Sequence, residues 1–492
     1  MLARCPAALS TGAPAAVARP VPVLAPARVG PSPSRTSSAQ PTVPISQPCS
    51  QLAPGAIRGC SVVARGQANS SLSLPTNIDL EQPLPGFDPI SVALRDLAAG
   101  KLVVVLDDED RENEGDLIMN ADKVTPETMA FLVEYTSGVV CIAMEGSDLD
   151  RLRLPLMVSS AENEESMYTA FTITVDLRDG ITTGISASDR AKTIRRLADP
   201  EAVSGDFRRP GHIFPLRYRP GGVLVRPGHT EAAVDLARLS GSFPAGVLCE
   251  VVNKQDGSMA RTPELLELAQ RHNMACITIA DLIRYRLRHD ALVEPAGEPT
   301  PLATRSGAKL TAHAFRSLVD GAAEHLALVH GAVADSAADV LVHVHHERTV
   351  ADLLDVAEPG TSGGGPSLDA AVRSVAQAGA GVVVYLRGQA ARGVQPSAEL
   401  AALGQHGSSA DLYGTDLKDA ATAAQILKTL GVRSVALTTE DPALVTALRS
   451  LGLGVRVAAA GAGGAAAPTH INGNGNGHVR GSQPSLQAAG MR

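Results

Sequence analysis

Between the apolar runs Leu102–Leu106 and Leu117–Met119 the chain carries Asp107-Asp108-Glu109-Asp110-Arg111-Glu112-Asn113-Glu114-Gly115-Asp116, seven carboxylates in ten residues. A short apolar run bounded by polar residues reads as a buried strand. The fold must therefore hold a dense patch of like charge on a loop pinned at both ends by core strands. Such charges repel one another unless a cation or a cationic group offsets them. A solvated acidic loop is the simplest reading of an acid-rich run. Two details oppose it: the flanking strands limit how far the loop can relax, and Arg111 sits inside the cluster. A calcium loop of the EF-hand kind needs Gly at its sixth position and Glu at its twelfth. Counted from Asp108 those positions are Asn113 and Met119, so that reading fails.

At 492 residues the chain is long enough for two or three domains. Trp is absent and aromatics make up 3%, so the cores must be built from Val, Leu, Ile and Ala. No apolar run reaches the ~18 residues that span a bilayer. Residues 1–78 hold six Arg and no Lys, Asp or Glu, so that leader carries +6 and the remainder −14 of the formal −8. An acidic body without a basic stripe excludes nucleic acid as the expected partner. An Arg- and Ser-rich, acid-free leader reads as an organelle transit peptide. Its Pro/Ser/Ala bias favours the plastid, the chloroplast stroma, over the mitochondrion; a disordered extension with no address is the alternative. Cys5, Cys49 and Cys60 lie in the leader, whereas Cys141, Cys249 and Cys276 sit in apolar segments as small buried hydrophobes. No Cys follows Cys276.

Residues 79–290 alternate strands and helices and predict one α/β (α+β) domain, a mixed sheet flanked by helices. A helix is expected over Pro126–Ser137 with Pro in its first turn. Strands are expected over Val139–Met144, Phe171–Val175 and Gly246–Val252. Ser188 is the expected cap of a helix running to Leu197, and Thr262-Pro263-Glu264 opens another. Residues 291–308, rich in Pro, Ala, Gly and Thr, read as a linker. Residues 309–457 form a second α/β domain, with strands Val340–His345 and Val382–Leu386 and helices Leu368–Ala378, Ala420–Leu430 and Pro442–Leu451. Gly431 and Gly452 fall where helix C-caps belong. Residues 458–492, with their Ala/Gly and Asn-Gly runs, read as a disordered tail.

Two further clusters join the acidic loop. Arg208-Arg209-Pro210-Gly211-His212 is followed seventeen residues later, His to His, by Arg226-Pro227-Gly228-His229-Thr230, which leads into an amphipathic helix. Arg, a Gly that admits close backbone approach and Thr at a helix N-terminus make a phosphate cradle; a plain Pro-Gly turn is the alternative. Glu250 interrupts the apolar run Val247–Val252. A carboxylate there is costly unless paired or protonated, which leaves acid/base work or an ion pair with an Arg. Together these residues suggest a phosphorylated small substrate, a hard divalent cation and proton transfer by His and Glu, without fixing the reaction.

Asp107–Asp116, Thr182-Thr183-Gly184-Ile185-Ser186-Ala187-Ser188-Asp189-Arg190-Ala191, Arg209–His212, Arg226–Thr230 and Leu248-Cys249-Glu250 closely resemble 3,4-dihydroxy-2-butanone 4-phosphate synthase, over about 200 residues in order. That resemblance implies a lyase that converts ribulose 5-phosphate to the four-carbon ketone phosphate and formate. It implies Mg2+ (or Mn2+), two ions per site, with Glu112 and His229 as protein ligands. Arg111 and Asp116 would hold sugar hydroxyls, Arg226, Gly228 and Thr230 the phosphate, and Glu112 and Glu250 would also touch substrate. His212 and Glu250 would be the essential proton-transfer residues. The family is usually a homodimer with sites at the interface.

The second domain resembles GTP cyclohydrolase II at Glu324-His325-Leu326-Ala327-Leu328-Val329-His330-Gly331, Gly381–Arg387 and Ala424-Gln425-Ile426-Leu427. That family's zinc takes three Cys thiolates. Here the first falls in His345-His346-Glu347-Arg348, and the Cys-Asp-Cys-Gly element is missing around Gly364–Ala371. His345 and His346, adjacent on a strand, point to opposite faces and cannot replace three thiolates without further ligands. The Glu-Gly-Arg-Gly loop reads Ala390-Ala391-Arg392-Gly393 and Thr-Asn-Asn-Pro reads Thr439-Glu440-Asp441-Pro442. The catalytic Asp is kept as Asp416, but the nucleophilic Arg is Lys418. The expectation is a synthase with a non-catalytic second domain and no zinc. The alternatives are a bifunctional enzyme with a histidine-built zinc site, and an inactive scaffold.

Overall fold

The computed structural model describes residues 82–458, apart from 306, 320, 322, 355–366, 389–395, 407–415 and 440. The leader, all of the tail beyond 458, the Ala390–Gly393 loop, Glu440 and the first part of the Gly364–Ala371 stretch lie outside the described residues. Among the described residues fifteen strands form two sheets, and helices cover both. The first sheet contains β1 (Val103–Leu106), β2 (Gly115–Asn120), β3 (Cys141–Met144), β4 (Val175–Leu177), β5 (Phe207–Arg217), β6 (Ala245–Glu250) and β7 (Cys276–Thr278). Their order is β4-β5-β3-β6-β2-β1-β7, with parallel and antiparallel neighbours mixed. Around it lie α1 (Ile90–Ala98), α2 (Pro126–Tyr135), α3 (Gly146–Arg151), α4 (Ala187–Leu197), α5 (His229–Leu239), α6 (Thr262–His272) and α7 (Ile279–His289). Every residue of β1, β2 and β3 is buried, as near-continuous apolar runs require.

The second sheet runs β15 (Gly454–Val457), β14 (Ser434–Leu437), β12 (Val340–His346), β13 (Gly381–Leu386), β11 (Glu324–His330), β10 (Lys309–Ser317), β8 (Val293–Pro295), with β9 (Thr300–Ala303) also on β10. Its helices are α8 (Thr349–Leu354), α9 (Leu368–Gln377), α10 (Pro396–His406), α11 (Leu417–Thr429) and α12 (Pro442–Ser450). Gly431 and Gly452 do follow the C-caps of α11 and α12, both at positive φ. Buried apolar side chains from both sheets share one contiguous cluster, and Leu310, Val383 and the inner face of α9 form a second, smaller one. No helix among the described residues is long and apolar enough to cross a membrane.

The structure corrects several local expectations. Helix α2 stops at Tyr135, because Thr136 bridges to Val251 and the Ser137 amide donates to the Glu250 carbonyl, 2.8 Å away. Phe171–Thr174 makes only isolated bridges and the regular strand is Val175–Leu177. The Thr172 amide does bond the Pro215 carbonyl, but Pro215 has no N–H to return, so no ladder propagates. Ser186, not Ser188, caps α4 by accepting from the Asp189 amide. Arg261, not Thr262, precedes α6, and its amide donates to Glu264 Oε2. The stretch 291–308, expected as a linker, supplies β8 and β9 to the second sheet.

Candidate active site

Strand register assembles the site. Val105 pairs with Asp116 across β1 and β2, and Asp116 pairs with Glu250 across β2 and β6. Beyond them, Cys141 of β3 pairs with Leu248 on one side and Phe214 on the other. Glu250 and His212 lie two residues past those partners toward the same sheet end. Val105, Asp116, Glu250 and His212 thus mark one line across the sheet, with His212 two strands, roughly 10 Å, from Glu250. The acidic loop closes β1 onto β2 at this end, and the N-terminus of α5 arrives there with His229.

Asp107 folds the loop. Its side chain is fully buried, and its oxygens accept from the Glu112 amide (3.1 Å), the Glu114 amide (2.8 Å) and Arg111 Nη1 (2.8 Å). Arg111 Nη1 also donates to Glu112 Oε2 at 2.6 Å. His229 Nε2 is 3.0 Å from the Val105 carbonyl, so it donates there, and Nδ1 faces the acids. Nδ1 stands 3.7 Å from Glu112 Oε2 and 3.8 Å from Asp116 Oδ1. Asp107, Glu112 and His229 offer ligand atoms all within 4.8 Å of one another. The buried Asp116 Oδ1 has no hydrogen-bond partner.

The electrostatics follow from this crowding. Burial pushes the Asp116 carboxyl up to about 8; His229 opposes the rise, and Glu250, Glu112 and Glu114 add to it. Burial pushes the His229 imidazole down, but Asp116, Glu112 and Asp107 outweigh it and raise it to about 9. For Glu112 burial acts upward, and His229 and Arg111 together hold the carboxyl down at about 2.

The cradle forms on α5. The first-turn N–H groups of His229, Thr230 and Glu231 have no partner within the helix, and Gly228 is the N-cap. Arg226 is anchored by Glu231 Oε2 (2.7 Å), Thr169 Oγ1 (2.9 Å) and the Met167 carbonyl. A Cβ on Gly228 would lie 2.5 Å from Arg226 Nη1 and 3.0 Å from Arg111 Nη2, so two guanidiniums from separate loops converge there. Gly228→Ala should therefore splay them, raising KM for a phosphorylated substrate roughly tenfold to a hundredfold. Steady-state turnover beside an unchanged circular-dichroism spectrum checks this.

Glu250 is the last residue of β6, half-buried, not mid-strand as expected. Its partner is Ser137 Oγ, which donates to Oε2 at 2.6 Å; no Arg ion pair forms among the described residues. His212 is held by Asp176, which accepts from its amide (2.9 Å) and from Nδ1 (2.7 Å). That fixes the Nδ1–H tautomer and leaves Nε2, on a side chain 40% exposed, to exchange a proton. The structure thus brings Arg111, Glu112, Asp116, Arg226, Gly228, His229, Thr230 and Glu250 together, and sets the His212–Asp176 pair to one side. Sequence reading missed Asp107, Ser137 and Asp176. Of these only Asp176 carried a signal, an acid after the apolar Val175 in a strand-like run.

The second domain handles its histidines differently. His345 Nε2 bonds Asp352 Oδ1 on α8 at 2.9 Å, and Asp352 Oδ2 accepts from Tyr385 and from the Arg348 amide. His346 Nε2 bonds Asp419 Oδ2 on α11 at 2.9 Å. His343 Nδ1 meets Thr438 Oγ1 at 2.7 Å, and burial, helped by His345 and Arg348, takes that ring down to about 3. Asp416 caps α11.

Residues 91–285 match the family model for 3,4-dihydroxy-2-butanone 4-phosphate synthase, and residues 296–459 match that for GTP cyclohydrolase II. The bifunctional riboflavin biosynthesis protein RIBA 1, chloroplastic, of Arabidopsis thaliana is 46% identical over 79% of this chain and 72% of its own. The same plant's monofunctional riboflavin biosynthesis protein RIBA 2, chloroplastic, is 48% identical over 76% of this chain and 77% of its own. Among solved structures, RibBX, a two domain 3,4-dihydroxy-2-butanone 4-phosphate synthase from A. baumannii, superposes with a TM-score of 0.57 at 35% identity, covering 73% of this chain and 96% of that one. The chain belongs to the family of riboflavin biosynthesis proteins in which a 3,4-dihydroxy-2-butanone 4-phosphate synthase domain is fused to a GTP cyclohydrolase II domain.

Proposed function

We propose that this protein is a plastid lyase that converts ribulose 5-phosphate to 3,4-dihydroxy-2-butanone 4-phosphate and formate, with a second domain that is not catalytic. The observation that carries the reading is the convergence of Arg111 and Arg226 on Gly228 beside the Glu112–His229–Asp116 cluster. Guanidiniums and a helix N-terminus suit the phosphate, and carboxylates with one imidazole suit a hard divalent cation. The donor set fits Mg2+ or Mn2+: the Asp116 oxygen is buried without a partner, and His229 Nδ1, a ligand once its proton leaves, faces Glu112. Glu112 and His229 are the proposed ligands, with two ions per site. A bound cation would stabilise charge developing on the sugar oxygens.

The protein supplies the rest. Arg226, Gly228 and Thr230 seat the phosphate; Arg111 and Asp116 orient the hydroxyls. Glu250, steered by Ser137, and His212 Nε2, steered by Asp176, move protons at opposite sides of the substrate. The homodimer is part of this proposal: Val139 and Ile185, next to the His212 and Glu250 segments, are 42% and 53% exposed. Plastid import rests on the acid-free leader and on the names of the plant relatives.

For the second domain, family membership implies zinc, and the donor set does not fit. No Cys follows Cys276, and His345 and His346 are committed to carboxylates on two different helices. RibBX bears the name of a two-domain synthase, which agrees with this division of labour. Full-length protein with Mg2+ and ribulose 5-phosphate should release formate, and with GTP should give no turnover and carry no stoichiometric zinc. An inert preparation sinks the synthase reading. GTP turnover with bound zinc would instead establish a bifunctional enzyme.

A further inference from the structure

Among the contacts between the two domains is a side chain that uses both ends of its amide. Gln425 of α11 accepts from the Leu292 amide through Oε1 at 2.8 Å and donates through Nε2 to the Asp290 carbonyl at 2.7 Å. It thereby clamps the backbone just after α7. Asp290 Oδ2 in turn takes Arg286 Nε at 2.8 Å. Arg286 Nη1 reaches Asp235 Oδ2 at 2.6 Å and donates to the Gly221 carbonyl at 2.9 Å. Asp235 has no exposed side-chain surface, and it also accepts from the Val223 amide and from Tyr218.

These contacts converge on the Gly221–Gly222 turn. Both glycines have positive φ, and a Cβ on Gly222 would stand 2.2 Å from Asp235 Oδ2. A Cβ on Gly221 would lie 2.9 Å from the Val319 carbonyl, so the second domain touches the turn directly as well. The Arg226 amide donates to the Gly222 carbonyl at 2.9 Å, so the loop that carries Arg226, Gly228 and Thr230 hangs from this turn.

We propose that Gln425 is a positioning residue for the synthase site. Through Asp290, Arg286 and the Gly221–Gly222 turn, the second domain sets the place of the anion-binding loop. The inference deepens the proposed function and rests on its assignment of that loop to the phosphate. A non-catalytic domain retained in this way acts on the synthase by geometry. The chain of contacts is continuous, and each link is a hydrogen bond to backbone or a partly buried ion pair, the kind of connection able to carry coupling between sites.

The test uses the full chain. Gln425→Met keeps the length of the side chain and removes both hydrogen bonds. It should raise KM for ribulose 5-phosphate roughly three- to tenfold and leave kcat within about twofold. Calorimetric titration with inorganic phosphate should show the same weakening without any turnover. Asp290→Asn, one link further along, should do likewise, and the double variant should fall short of the product of the two single effects. A lower thermal midpoint with unchanged KM and unchanged phosphate affinity would reduce Gln425 to a structural tie and overturn the proposal. Effects that multiply in the double variant would overturn the relay. A wild-type chain that releases no formate would defeat the functional reading, and the phosphate titrations would still decide this one.

Discussion

Glu250→Gln should cut formate release by roughly three orders of magnitude, within the range that a positioned general acid or base contributes. The substitution is nearly isosteric, and the amide oxygen can still accept from Ser137 Oγ where the carboxylate does now, at 2.6 Å. The backbone pairing of residue 250 with Asp116 also survives. What disappears is the ability to take up and return a proton. Folding, read by the thermal midpoint, and Mg2+ affinity should stay close to wild type. The loss of charge has one side effect of known sign. Glu250 is among the groups that push the Asp116 carboxyl up, so Asp116 should ionise at lower pH in the variant. Loss of the folded state would return Glu250 to a structural role, and retained turnover would remove it from the proton-transfer step. Ser137→Ala makes a graded companion: it frees the carboxylate without neutralising it, so kcat should fall far less.

Which residues meet was legible in the sequence where chemistry and periodicity coincide. The acidic loop between two apolar runs did become a loop between buried antiparallel strands, and Arg226–Thr230 did open a helix. Those segments are short in sequence and satisfy their own backbones, so local pattern is enough. Register is another matter. That Asp116 stands opposite Glu250, with His212 two strands away, depends on pairings between residues far apart in the chain, Asp116 with Glu250 and Cys141 with Phe214. Nothing in the local composition encodes it. Asp107 shows the opposite limit. Among seven acids the sequence offers no reason to single out the first, yet its side chain ties down two amides and Arg111. Glu250 was legible as an anomaly and misjudged as a mid-strand charge. It ends the strand and opens to the site, so the cost of burying it is largely avoided. The misplaced caps at Ser188 and Thr262 are one- or two-residue errors of the kind that several neighbouring hydroxyls invite.

His229→Ala should abolish the Mg2+ dependence of the protein and lower turnover by about a thousandfold, the equivalent of the several kcal/mol a divalent ion contributes. The pH behaviour of the intact residue gives a sharper test. Without metal, His229 holds its proton to about pH 9, above its ordinary value. Its contribution to stability is thus complete below about pH 6.5 and is lost as pH rises through 9. Asp116, raised to about 8, acts in the same direction. The unfolded chain ionises that carboxyl from about pH 4, the folded chain only near 8, so stability declines across that interval. Glu112 runs the other way. Its carboxyl, held at about 2, stabilises the fold above its ordinary range and loses that effect only in strong acid. The metal-free protein should therefore soften between neutral pH and pH 9, and Mg2+ should restore it by replacing the departing proton. Since the ligating Nδ1 must be deprotonated, Mg2+ affinity should climb with pH, at most about tenfold per unit for each proton displaced. Calorimetry in two buffers of different ionisation enthalpy counts that proton directly. In His229→Ala the proton release and the Mg2+-dependent rise in melting temperature should vanish together. If either persists, the ion sits elsewhere and the cluster around Glu112 is only a balanced set of charges.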